Sequence, residues 1–206
     1  MDEHVRLAMA KWPQVPACYG WLGLDARGEW RMRDQRCQEL GLLGDKINNH
    51  HLRDFINRNY LADKTGQYYF QNGPQQVFVR LESAPYTVRS VIHTEEPQHH
   101  WQLHTGIPMP LPDHIWFTVE GQFFMQCGHI LAQLDDRDIP DAIKQLRWQE
   151  QIPSDQQLLD WLDTPQPGLV FLFAQHPIPV HLSSLTELAR IIPFIANPIP
   201  TGTVKL

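Results

Sequence analysis

Three imidazoles, His99, His100 and His104, fall within one six-residue window. Imidazole is a common ligand of zinc and other transition metals, so this group is the first candidate for a metal site. On a strand, His100 and His104 would share one face and His99 would take the other. No cysteine or paired carboxylate stands at a standard zinc spacing, which leaves a solvated histidine-rich loop as the competing reading. Asp135, Asp136 and Asp138 offer carboxylates for acid–base work or for a cation. They also precede a helical pattern, where acidic side chains cap and favour the positive end of the dipole. Nucleophilic chemistry finds no support, because no Gly-x-Ser-x-Gly elbow occurs and Cys18, Cys37 and Cys127 have no local signature pointing to a histidine partner. A phosphate loop is missing too: Gly41-Leu-Leu-Gly44 is not followed by Lys-Ser/Thr. No catalytic residue and no cofactor are assigned.

Recognition chemistry has better material. Tyr69, Phe78, Arg80 and Arg89 sit on neighbouring predicted strands. If Tyr69 and Phe78 fall on the outer sheet face with the two arginines beside them, they form a patch for a protein or a small ligand.

The elements that must position these residues centre on Gly66 to Val91. Two runs rich in aromatic and β-branched residues flank Asn72-Gly73, a hairpin signal. Val77, Val79 and Leu81 alternate with Gln76, Phe78 and Arg80 at the period of a strand. Pro74 lacks an N–H, so a longer, open loop is expected there. Earlier, Asp2 to Trp12 reads as a short helix, and Tyr19 to Arg33 as a hairpin turning at Asp25 to Gly28. A helical insertion is expected at Gln35 to Leu42, and a helix at Asn48 to Leu61 capped by Asn48 or Asn49.

A similar order follows in the second half. Ile115 to Cys127 parallels the first hairpin, with Gly121, Phe123 and Met125 answering Gly28, Trp30 and Met32. Asp136 to Arg147 and Asp155 to Leu162 read as helices. Gly168 to Leu182 parallels Gly66 to Leu81, with His176-Pro177 in the place of Gly73-Pro74. Ser154 with Gln157, and Ser184 with Glu187, have capping-box spacing. The predicted fold class is α+β, with two similar hairpin–helix–hairpin units packed together on mainly antiparallel sheets. Boundaries are expected at 1–18 for an N-terminal helix and linker, 19–94 for the first unit, 95–113 for a connection, 114–192 for the second unit and 193–206 for an extended, partly mobile tail.

The chain's 206 residues, 42% apolar and 19% charged, describe a globular protein, and the formal charge of −6 argues against nucleic acid. Three scattered cysteines, no secretory signal and no apolar run near the ~20 residues of a membrane span predict a cytoplasmic protein with no membrane association.

Gly28-Glu29-Trp30, Gly44-Asp-Lys-Ile47, Leu52-x-x-Phe55, Asp63-x-x-Gly66-x-Tyr68 and the run Val77 to Tyr86 together resemble a bacterial domain-of-unknown-function family. The resemblance covers roughly residues 20 to 130. It implies an α+β fold with repeated motifs and a signalling role, and it carries no catalytic or binding residue. Residues 34 to 43 depart from the pattern as an insertion. The function expected is a non-enzymatic binding or signalling-accessory protein recognising a protein or small ligand. The alternatives are a metal-assisted hydrolase using the histidine-rich connection and a single-stranded nucleic-acid binding module.

Overall fold

A computed structural model describes residues 1–93 and 96–200, with side chains of 92–99 outside the description. The chain divides into two compact units, residues 1–85 with 193–206, and residues 86–192.

In the first unit, α1 (Glu3–Lys11) buries only Val5 and precedes β1 (Cys18–Leu24) and β2 (Trp30–Met32). There follow α2 (Gln35–Glu39), β3 (Asp45–Lys46), α3 (His50–Arg58), β4 (Tyr60–Ala62), β5 (Tyr68–Asn72) and β6 (Gln75–Leu81). Among the described residues these strands form a six-stranded sheet in the order β3-β2-β1-β6-β5-β4. All neighbours run antiparallel except β1 and β6. The α3 helix starts where Asn49 accepts the Leu52 amide, and its Asn57 accepts from the Trp30 indole at 2.7 Å. Trp30 meets Tyr60 edge-on at 5.2 Å, and Phe55 of α3 meets Phe70 in the same manner at 5.3 Å.

In the second unit, β7 (Tyr86–His93) and β8 (Glu96–Leu103) pair antiparallel, followed by β9 (His114–Thr118), β10 (Phe123–Cys127) and β11 (Ile130–Leu134). A single 3₁₀ turn at Asp136–Asp138 leads into α4 (Ile139–Ile143), then β12 (Leu146–Trp148), α5 (Asp155–Asp163), β13 (Leu169–Phe173), β14 (His176–Ser183) and α6 (Leu185–Ile191). Their sheet, eight-stranded among the described residues, runs β12-β13-β14-β9-β10-β11-β7-β8. Phe171 lies at its core, 5.6 Å from both Trp101 and Phe123. Both expected capping boxes close, at Ser154 with Gln157 and at Ser184 with Glu187.

The order β3-β2-β1-β6-β5-β4 is matched, strand for strand, by β11-β10-β9-β14-β13-β12. In each case the first and sixth strands pair in parallel at the centre, through Leu22 with Val79 and through Ile115 with Val180. The antiparallel registers agree as well: Leu22 faces Met32, and Ile115 faces Met125.

Several expectations need correction. Within the stretch expected as a connection, β8 extends over Glu96–Leu103, and Gln102 bridges Pro108. The helix expected over Asp136 to Arg147 ends at Ile143, because Leu146 to Trp148 pair with β13. The turn between β5 and β6 is tight. Asn72 pairs with Gln75, so Gly73 and Pro74 are the two central residues. Gly73 takes a φ of +56° and Pro74 needs no N–H there, because the flanking residues make the closing bonds; this is the pattern of a type II′ hairpin. The corresponding turn in the second unit is Ala174-Gln175, not His176-Pro177. The tail is tied down: the Ile195 amide donates to Gly66 O at 2.9 Å and the Leu81 amide to Ala196 O at 2.8 Å. Residues 201–206 of that tail lie outside the described residues.

Candidate functional site

A cavity of about 380 Å³ belongs to the first unit. Its floor originates in an irregularity of the parallel pairing. Cys18 pairs with Val77, but Leu22 pairs with Val79, so β1 carries two more residues than β6 across this stretch. Such a bulge re-aims side chains. Here it stacks Tyr19 on Phe78, with ring centroids 4.6 Å apart and planes within 4°. It also turns the Gly20 carbonyl onto Arg33, whose Nη1 donates to it at 3.1 Å.

Arg33 follows the last residue of β2 and is only 3% exposed. Its Nε donates to Leu42 O at 3.0 Å and its Nη2 to Cys37 O at 3.0 Å. The guanidinium therefore shapes the α2 segment, which Asp34 begins by accepting the Cys37 amide. Burial, and then the charge of Arg80, lowers the Arg33 pKa from its ordinary value. Arg80 extends from β6 on the same face as Phe78, and its Nη1 donates to Gly41 O at 2.9 Å and to Leu42 O at 3.3 Å. Gln38 of α2 lines the cavity, and the C-terminal segment Asn197–Pro200 supplies a further wall.

The predicted site residues separate into groups. Tyr69 and Phe78 are cross-strand partners with ring centroids 5.6 Å apart, and Arg80 lies two residues beyond Phe78. Phe78 itself is buried beneath Tyr19 and Tyr69, so it supports the site from behind. Arg89 belongs to the second unit. There its Nε lies 3.0 Å from Asp135, a carboxylate that Arg137 also grips. Burial raises the Asp135 pKa, but the Arg137 hydrogen bonds and the charges of Arg89 and Arg137 outweigh it and hold the group at about 2.

Of the histidines, His100 lines a smaller cavity of about 160 Å³ with Trp101 and Met109. His104 Nδ1 accepts the Thr87 amide at 3.2 Å. The His99 side chain lies outside the described residues. Among the described residues no group of three or more His, Cys, Asp or Glu side chains converges on a cation position.

Two arrangements escape sequence reasoning. The first is Arg33, whose role depends on the bulge at Tyr19 and Gly20. The second is a histidine pair in the second unit, His114 Nδ1 to His181 Nε2 at 3.2 Å, with Trp116 against His181. Burial, reinforced by His114, lowers the His181 pKa. These two histidines stand 67 positions apart, and only the parallel pairing of β9 with β14 joins them.

The DUF2944 family model, described as a protein of unknown function (DUF2946), matches residues 1–199. The chain belongs to this family. A DUF1285 family protein from Silicibacter pomeroyi DSS-3 is similar at 11% identity, covering 84% of this chain and 85% of that one, with a TM-score of 0.49. Another DUF1285 family protein, from Shewanella baltica OS155, is similar at 12% identity, covering 59% of this chain and 88% of its own, with a TM-score of 0.40. No curated protein matches significantly. Family membership thus brings no assigned activity. Among the described residues no helix is long and apolar enough to cross a membrane.

Proposed function

We propose that this family member is a non-enzymatic cytoplasmic binding module that holds a small molecule in the cavity of its first unit. The observation that carries the reading is the cavity's construction. Its volume of about 380 Å³ lies within the roughly 300–1,000 Å³ of small-molecule sites. Its wall joins four chain segments: the β1 bulge, the residues in and around α2, Arg80 of β6 and the C-terminal segment. Tyr19 offers an aromatic face and Gln38 a polar group, a mixture suited to orienting a ligand. A signalling-accessory role is the natural extension, because a ligand that touches Asn197–Pro200 bridges the sheet and the chain's C-terminal segment. The shared order of strand pairings supports reading the two units as versions of one motif, of which the first carries the binding site.

Titration of the purified protein with a metabolite library, followed by amide NMR, tests this reading. Saturable shifts at Tyr19, Gln38 and Ile199 are expected for at least one compound. Turnover of a generic substrate with no ligand perturbing these residues would count against it.

A further inference from the structure

We propose that the cavity of the first unit takes a small ligand bearing an oxyanion, a carboxylate or a phosphate monoester, with Arg80 as its anchor. This inference rests on reading the cavity as a ligand site and adds the chemical class.

Two guanidiniums meet at this cavity, and every hydrogen bond they make among the described residues ends on a neutral backbone carbonyl. No carboxylate pairs with either one there, although the protein as a whole carries a formal charge of −6. The contrast with other arginines is direct: Arg31 is paired with Asp25 at 2.6 Å, and Arg58 with Asp2 at 3.2 Å. Buried charges are ordinarily paired. Two like charges sharing one carbonyl, without a counter-charge, favour an anion placed beside them.

The donors still available have a direction. Both Arg80 bonds use Nη1, so Nε and Nη2, the edge that fits a carboxylate or phosphate in a two-pronged manner, make no bond among the described residues. Tyr19 and the Pro198–Pro200 wall are suited to flank the organic part of such a ligand.

The second unit provides an internal contrast. From the strand registers, His181 occupies the position of Arg80 and Gln126 that of Arg33, each one residue past the paired Val180 and Met125. There the polar groups satisfy one another: Trp116 Nε1 donates to Gln126 Oε1 at 3.0 Å, and His181 meets His114. The same framework positions therefore carry two permanent cations in the first unit and none in the second.

Benzoate, phenyl phosphate and the neutral benzamide, each titrated into the full-length protein by calorimetry and amide NMR, test the proposal. Benzoate or phenyl phosphate is expected to bind at least tenfold more tightly than benzamide, and to weaken with added salt. Arg80→Gln should weaken the anion at least tenfold and leave benzamide unchanged, while Arg80→Lys should restore part of the loss. Preference between benzoate and phenyl phosphate distinguishes the two oxyanion types. Benzamide binding at Tyr19 as tightly as both anions overturns the oxyanion assignment and leaves the small-molecule site standing. Failure of all three probes to perturb Tyr19 or Gln38 overturns the oxyanion assignment, whereas only a silent metabolite library removes the site itself.

Discussion

Arg33 and Arg80 donate to one and the same carbonyl oxygen, that of Leu42, at 3.0 and 3.3 Å. The pair is thus fixed by the loop after α2, and the two arginines divide the labour. Arg33 is a buried structural cation holding three carbonyls, and Arg80 is a half-buried side chain at the cavity.

This division predicts unequal costs. Arg33→Met removes three buried hydrogen bonds, leaving Leu42 O to Arg80 and Cys37 O to the Leu42 amide, and should destabilise the protein by about 2–4 kcal/mol. Arg80→Gln should stay within about 1 kcal/mol. Urea denaturation followed by circular dichroism measures both.

Gly44 should not tolerate a side chain. A Cβ there would stand 2.2 Å from the Met32 carbonyl oxygen, and the residue's φ is +92°. The clash is with backbone of β2, which cannot swing aside. Gly44→Ala is expected to cost more than about 2 kcal/mol, read as a lowered urea midpoint.

The β13–β14 turn can be improved. Ala174 and Gln175 hold φ values of +45° and +71°, the left-handed region that a type I′ hairpin demands. Replacing the pair by Asn-Gly should raise stability by about 1 kcal/mol, visible as a higher thermal midpoint.

Asp135 ties part of the stability to acid. Its folded pKa of about 2 lies below the unfolded value of about 3.9. The contribution is therefore complete above about pH 4 and lost as pH falls towards 2. Asp135→Asn should be less stable at neutral pH and show a flatter stability profile across that window. An unchanged acid profile in the variant would contradict the assignment.

His181 acts at higher pH. Its folded pKa is lowered, so the unfolded chain binds the proton more readily. Its effect on stability is unfavourable below the folded pKa, weakens as pH rises, and vanishes above the ordinary imidazole value of about 6.5. His181→Gln should remove this slope from urea midpoints recorded between pH 5 and 7, whereas an identical slope in the variant would show that another group carries it.

Much of the framework could be read from residues alone. Asn49, Ser154 and Ser184 cap helices because capping is local chemistry, settled by side chains three residues apart. The pairing of Tyr69 with Phe78 follows from alternation across one hairpin. The Gly44-x-x-Ile47 pattern was visible too, although its cause, a close approach to Met32 with Ile47 buried below, was not. Short-range order yields to inspection because its partners are near in the chain.

Tertiary structure decided the rest. The sequence by itself determined an α+β chain of aromatic hairpins and capped helices. It could not disclose that Arg89 belongs beside Asp135 while Arg80 joins Arg33, nor that the C-terminal segment walls a cavity. The first placement depends on the parallel pairing of β7 with β11; the others depend on that of β1 with β6, whose strands are separated by most of the first unit, and on a two-residue bulge within it. A register shift of that kind leaves no local pattern in the residues, because it is set by how distant strands fit together.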